Sequence, residues 1–382
     1  MRVLPLAFLL LTVSCVLPAA TVTTLDGRSV QGAALTFDAK AGTVEINGER
    51  LALADCDWIE PGNGSGVVLV GGTIKRLGVW LVDGSWLPAV TIAPAPADHT
   101  LIVAGPLGEL VLPLAVVRGW GVGAEPPGTR EGEAKGDQVL LDSGMVGGRV
   151  EGLVGAKLVL RSDLDPTKPL ELPFEQVRGA RLALPLRQGK GLRLAVSFDE
   201  VHPPLRLVVG EAGLSLAATP LAMGKELKSA RLRIDGGRRV YLSELDPDQV
   251  EEAGAFGVVW PYARNANLDG TPLRLGGVRY ERGVVVHSKA RLAWKLGGAY
   301  VRLRAQLGIA DLVANQGDCT VDISVDGKSL WRRDSVRGGD KPVALDLDLS
   351  GAQRLELVVD YGARYDIGDH LALADAFLVK AK

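Results

Sequence analysis

Apolar and polar residues alternate with a period of two over much of the C-terminal part of this chain. In YVRLRAQLGI, Val301, Leu303, Ala305, Leu307 and Ile309 fall on one side, and arginine and glutamine fall on the other. TVDISVDGKSLW alternates Val321, Ile323 and Val325, then turns at Asp326-Gly327, a pair that favours a tight hairpin. VALDLDL sets Val343, Leu345, Leu347 and Leu349 against Ala344, Asp346 and Asp348, and RLELVVD repeats the pattern at Leu355, Leu357 and Val359. Strands with one buried face at these spacings predict a two-sheet antiparallel sandwich over residues 240–382. One short helix is predicted, in DPDQVEEAG at residues 246–254, with Asp246 as cap and Pro247 in the first turn.

The first half carries a diffuse repeat. Each copy begins with a glycine turn after an apolar pair, alternates through two or three strands, and ends on a Leu-Pro or Leu-Ala step into a last strand. LPLAVVRG (Leu112 to Gly119) and LPFEQVRG (Leu172 to Gly179) match best. Units of this size predict small curled antiparallel sheets, of the SH3-like or Sm-like barrel kind, at residues 21–62, 63–123 and 138–184. The polar, Pro- and Gly-rich stretch 124–137 reads as a linker, and residues 185–239 read as a degenerate further unit without the Leu-Pro signature. The expected fold is all-β throughout. With 48 glycines and 21 prolines, the composition suits short strands and tight turns.

Charge narrows the partners. The 43 basic and 45 acidic residues are interspersed, leaving a formal charge of −2 and no basic face or tail for nucleic acid. Residues 1–20 read as an export signal: Arg2 gives a positive start, residues 3–13 are almost wholly apolar, and VLPAA ends in small residues where cleavage after Ala19 or Ala20 is expected. Lipidation at Cys15 is the alternative, since LTVSC loosely resembles a bacterial lipobox. Either route places the chain outside the cytoplasm, secreted or in the cell envelope, with no membrane span in the mature protein. Cys56 and Cys319 lie far apart and form neither a disulfide framework nor a zinc motif; both read as small buried side chains.

GVVVHSKARLAWKLGG, from Gly283, sets His287 beside Ser288. Neighbours on a strand point to opposite faces, so the two do not pair as base and nucleophile. A structural histidine bonded to backbone across the two sheets is expected instead. Glycoside hydrolysis needs two convergent carboxylates, and no short acidic signature stands out.

The region Tyr241 to Lys380 resembles the NPCBM family, a β-sandwich carbohydrate-binding module found beside glycoside hydrolase family 98 and related enzymes. The likeness rests on an ordered series: YLSEL, the run DGTPLRLGGVRYERGVVVHSKARLAWKLGGAYVRLRAQLGIAD, then VDISVDGKSLW, LDLSGAQRLELVVDYG and DHLALADAFL. Two positions depart from the family pattern. Leu373 stands where a tryptophan is usual, and Ala310 precedes a single Asp311 where paired acids are common. The first half is similar to small β-barrel units found in front of this module in secreted proteins of planctomycete-type bacteria.

The resemblance implies a jelly-roll, galactose-binding-like sandwich that holds carbohydrate, and no enzyme activity. Sugars are recognised by aromatic faces and planar polar groups. Trp260, Tyr262 and Arg264 in VVWPYARN, with Tyr361, Tyr365, Asp366, Asp369 and His370 in DYGARYDIGDH, are the candidates. Two tyrosines among Gly, Asp and Arg are hard to bury. Asp311, Asn315, Asp318 and Asp369 supply oxygen ligands that suit a structural calcium, the one cofactor considered; solvated loop acids are the plain alternative. Rival functions are a structural or adhesion role through contacts with other surface proteins, motivated by Leu373, and an uncharacterised glycosidase.

Overall fold

A computed structural model describes residues 20–33, 35–60, 77–122, 136–187, 191–198, 202–211, 213–216, 219–221, 232–255 and 257–382. The expected export segment, Cys15 and most of the 124–137 linker lie outside the described residues. Every described element is a strand or a single 3-10 turn, so the fold is all-β.

The C-terminal sandwich has two sheets. One runs, in spatial order, Ala263–Arg264, Gly283–His287, His370–Lys380, Tyr300–Ile309 and Val343–Asp348, with Arg239–Tyr241 also pairing His370–Lys380. The other runs Gln249–Glu252, Ala290–Lys295, Arg354–Tyr361, Asp318–Val325 and Lys328–Arg337. The alternation read from the sequence places Leu303, Leu307, Val321, Ile323, Leu355, Leu357 and Val359 between the sheets, around a fully buried Trp294. The turn at Asp326-Gly327 joins two strands, as its φ-positive preference requires.

One expectation fails. The stretch expected to be a helix holds a strand, Gln249–Glu252, paired in register with Ala290–Lys295. Its cap and first-turn signals are local, whereas sheet pairing satisfies its backbone groups against a neighbour distant in sequence.

The two best-matching repeats meet directly. The Val117–Val122 strand pairs antiparallel with Val177–Arg181, so Gly119 faces Arg181 and Gly121 faces Gly179. A Cβ on Gly119 would sit 2.7 Å from the Ala180 carbonyl oxygen, and one on Gly179 would sit 2.6 Å from that of Trp120. The shared Val-Arg-Gly is therefore a packing requirement of two backbones in close approach. The Leu-Pro and Leu-Ala steps become 3-10 turns, at Leu53–Asp55, Leu114–Val116 and Phe174–Gln176. Both strands belong to one eight-stranded sheet that runs from Leu170–Pro173 to Trp86–Pro88. A second eight-stranded sheet joins Ala20–Thr24, Ser29–Gly32 and Cys56–Glu60 to strands between residues 193 and 235. Among the described strands neither sheet closes on itself.

The outer face of the first sandwich sheet is covered partly by the sandwich's own Leu273 and Leu275, over Val285, Ala372 and Ala374, and partly by the N-terminal half. Leu25 packs with Tyr241, Phe377 and Val379 in one apolar cluster. Around it, Asp57 accepts hydrogen bonds from Arg239 and, at 3.0 Å, from Arg304; Arg233 pairs with Asp375; Arg206 reaches Glu281; and Tyr241 donates to Asp235 at 2.8 Å. Arg239 is 3% exposed, and its guanidinium lies 4.1 Å from the centre of the Phe377 ring. Burial alone would raise the Asp235 carboxyl, but Arg233, Arg206 and Arg239 around it hold it down at about 2.

Candidate functional site

The opening glycine of GVVVHS is set by crowding. On Gly283 a Cβ would meet Leu373 O at 2.8 Å and Leu273 Cδ2 at 2.7 Å. The four residues that follow, Val284 to His287, are all buried, and the strand lies between Ala263–Arg264 and His370–Lys380. Register then puts His287 opposite His370. Their rings meet edge to face with centroids 5.5 Å apart, and Trp260 leans over both, at 6.1 Å from His287 and 6.0 Å from His370. These three rings make an aromatic cup at one end of the sheet.

Trp260 is 43% exposed, whereas His287 is buried. Burial, with His287 as a second influence, pushes the His370 imidazole down to about 4, so it is neutral at neutral pH. Its Nδ1 is buried with no partner in the protein. The half-exposed indole face offers the apolar plane that the C–H bonds of a sugar ring need.

His287 makes a different contact from the one expected. The Nδ1 of His287 contacts the carbonyl of Ser288, its own neighbour, at 2.8 Å, and does not bridge the sheets. A side chain at the strand's last residue meets the turning backbone before it meets the opposite sheet. Ser288 is shut from solvent and donates to Asp369 Oδ2 at 2.5 Å, while the Asp318 N–H donates to Oδ1 of the same carboxylate at 2.7 Å. Asp369 is 0% exposed, and burial raises its pKa against these two bonds. It therefore stands behind the cup as a strut between strand ends and offers no oxygen at the surface.

Other candidates divide between the cup's rim and other places. Asp366 Oδ2 accepts the Ala255 N–H at 2.8 Å, tying the loop of residues 362–369 to the loop that carries Trp260. Tyr365, on that first loop, is 63% exposed with φ +57°, an uncommon backbone state for a bulky residue. Arg264 donates to Asp246 and to the Tyr262 hydroxyl, both at 2.8 Å, and its guanidinium lies 5.5 Å from the Tyr262 ring centre. Tyr361 belongs to the second sheet, where it lines a separate hollow with Thr320, Asp322, Arg332, Val358 and Asp360.

The oxygen ligands proposed for calcium are dispersed among backbone and side-chain donors. Asp311 accepts the N–H groups of Gly276 and Gly277 at 2.8 Å each, and Asp318 accepts the Ser335 hydroxyl at 2.6 Å. Asn315 packs against Gly339, where a Cβ would lie 2.6 Å from its Oδ1. Among the described residues, no group of three or more His, Cys, Asp or Glu side chains is placed to hold a metal ion.

Sequence reasoning missed Asn267 and Asp269. Asp269 caps its own turn through Thr271, at 2.9 and 2.6 Å, and lies near enough to His370 for their charges to interact. Asn267 is 3% exposed, donates to Thr271 and Pro272, and keeps Oδ1 without a partner. In the sequence, Asn-Leu-Asp-Gly-Thr carries only a turn signal, so nothing there pointed to the cup.

The order of these elements has a counterpart among known domains. Residues 238–379 match the NPCBM/NEW2 domain. Of the curated proteins, a Renibacterium salmoninarum protein with the provisional name endo-alpha-N-acetylgalactosaminidase is 31% identical over 94 residues, a match spanning 25% of this chain and 6% of that protein's length. Similar solved structures include CBM51 from Clostridium perfringens GH95 in complex with methyl-galactose, at 22% identity and TM-score 0.34, covering 37% of this chain and 99% of that one. The tandem CBM51 modules of the family 98 glycoside hydrolase from Streptococcus pneumoniae SP3-BS71 are 12% identical, with TM-score 0.34, covering 80% of this chain and 88% of that one. Within the matched segment, Leu373 is 1% exposed and sits in the sheet between Val284 and Leu307. The departure at this position is thus a matter of core packing, away from any surface.

Proposed function

We propose that this chain is an exported, non-catalytic carbohydrate-binding protein whose ligand is held at the loop end of the C-terminal sandwich. The observation that carries the reading is the half-exposed Trp260 indole set against the His287 and His370 rings. The match of residues 238–379 to a carbohydrate-binding module family supports it. Trp260 supplies the stacking plane, with the His370 ring beside it. Asp366 holds the two loops together, Tyr365 stands exposed on one of them, and Asp269 lies near His370. Asp369 and Ser288 position it from behind. The N-terminal units serve as a platform for the sandwich.

A glycan array probed with the full chain tests the reading, because the sandwich face covered by the N-terminal half makes a fragment a different object. Retention of the native protein on at least one neutral glycan, lost in Trp260→Ala, is expected. Equal signals for both proteins across the array would refute it.

A further inference from the structure

Trp260 sits where the chain crosses from one sandwich sheet to the other. The chain leaves the second sheet at Gln249–Glu252 and enters the first at Ala263–Arg264, with Trp260 between them. Both ends of this crossing are fastened. On the leaving side, Ala253 exchanges backbone hydrogen bonds with Lys289 at 2.9 and 2.8 Å, and the Ala255 N–H donates to Asp366. The chain then doubles back so tightly that a Cβ on Gly254 would lie 1.8 Å from the Val258 carbonyl oxygen. On the entering side, the Tyr262 N–H donates to Glu252 Oε1 at 2.6 Å, so one carboxylate joins the last residue of a strand in one sheet to the approach to a strand in the other. Only Pro261 separates Trp260 from Tyr262, and its ring fixes its own φ and holds the residue before it to extended backbone. A stiff two-residue lever therefore runs from the Glu252 carboxylate to the indole. A charged acceptor also makes the stronger kind of hydrogen bond to an N–H.

Resting on the carbohydrate reading, we infer that Glu252 is a positioning residue for the sugar site, acting through Trp260. Its clasp on Tyr262 keeps the indole set against His287 and His370, at 6.1 and 6.0 Å between ring centres. Without the clasp, the segment before Ala263 is free to swing the indole away from those rings. The sugar must then order on binding what Glu252 holds ready beforehand, and affinity falls by that ordering cost.

Fluorine NMR of the full chain labelled with 5-fluorotryptophan tests this, the Trp260 signal being the one absent from Trp260→Ala. Calorimetry with methyl β-D-galactopyranoside and methyl N-acetyl-β-D-glucosaminide accompanies it. In Glu252→Ala the Trp260 signal is expected to move or broaden while the other six of the seven tryptophans keep theirs. Affinity for the bound glycoside is expected to fall about tenfold, the effect of losing one hydrogen bond to a charged acceptor. Glu252→Gln keeps an acceptor oxygen at the same reach and should restore the signal and most of the affinity. Affinity unchanged in Glu252→Ala but lost in Trp260→Ala would overturn the inference and leave the carbohydrate reading standing. Affinity unchanged in both variants would overturn both. A shift of all seven signals without rescue by Glu252→Gln would make Glu252 a prop of the whole fold and overturn the inference as well. If the native protein binds neither glycoside, the Trp260 signal decides alone: unmoved in Glu252→Ala, it overturns the inference; moved and restored by Glu252→Gln, it upholds it.

Discussion

Asp57 offers a decisive test of how the two halves are joined. Its carboxylate is 6% exposed and receives Arg239 and Arg304 from the sandwich. Replacing it with alanine leaves Arg239, itself 3% exposed, facing an apolar cluster with one strong acceptor gone. Two of its guanidinium nitrogens, Nε and Nη1, already lack hydrogen-bond partners, so the side chain has few alternatives. Stranding a buried charge in this way costs about 3–5 kcal/mol, whereas an exposed, solvent-screened pair such as Arg332 with Asp334 contributes little. Urea unfolding of the full chain, followed by tryptophan fluorescence, reads the difference. Because Asp57 belongs to the N-terminal half and its partners to the sandwich, Asp57→Ala is expected to lower the midpoint for both halves together. Arg332→Ala serves as the control and should barely shift it. Asp57→Ala together with Arg239→Leu should recover part of the loss, since no charge is then left unpaired. A midpoint for Asp57→Ala within ~1 kcal/mol of the native protein would refute the reasoning. A shift confined to the N-terminal half would refute the coupling.

Further outcomes follow from the same geometry. Ser288→Ala removes the donor to a buried carboxylate oxygen and should cost about 1–3 kcal/mol in denaturant unfolding, without touching the Trp260 surface. Gly179→Ala brings a Cβ against the Trp120 carbonyl and should destabilise the pairing of the two repeats; hydrogen exchange at residues 117–122 would show it as faster exchange. His370 has a folded pKa pushed down to about 4 against an ordinary 6.5, so the unfolded chain binds the extra proton between those values. Its contribution to stability is fully present above pH 6.5 and is lost as pH falls towards 4, and His370→Gln should flatten that part of the pH profile. For Asp235, held down at about 2, the sign is the usual carboxylate one: stability present above pH ~4 is lost as pH falls through 2.

How much was legible in the sequence depends on whether the deciding interaction is local. The alternation at Leu303 to Ile309 and at Leu355 to Val359 reports which face of a strand is buried, because one side chain in two must leave water whatever the partner sheet is; Val301, beyond a bulge, packs with the outer cluster instead. The hairpin at Asp326-Gly327 was readable for a similar reason: a turn is fixed by the φ values its own residues allow. Residues 246–254 show the limit, since helix-start chemistry there yielded to a strand pairing with Ala290–Lys295.

The site was less legible. Clustered aromatic and polar residues in two loops put Trp260 and His370 among the candidates, in separate groups, together with the Tyr365 loop. Period-two reasoning also removed His287 and Ser288 from catalysis. Which of these side chains reach solvent was decided by register and long-range hydrogen bonds. His287 meets His370 because two strands more than eighty residues apart pair at that step. Asp369 turns inward because Ser288 and Asp318 supply its hydrogen bonds, and Tyr361 faces a different hollow because it still belongs to a strand of the other sheet. The sequence by itself determined strand faces, turns and the order of the module's motifs, all of which depend on residues within a few positions of one another. Only the tertiary structure decided the cup and the buried charges that bind the two halves, because each is made by groups that chain connectivity leaves far apart.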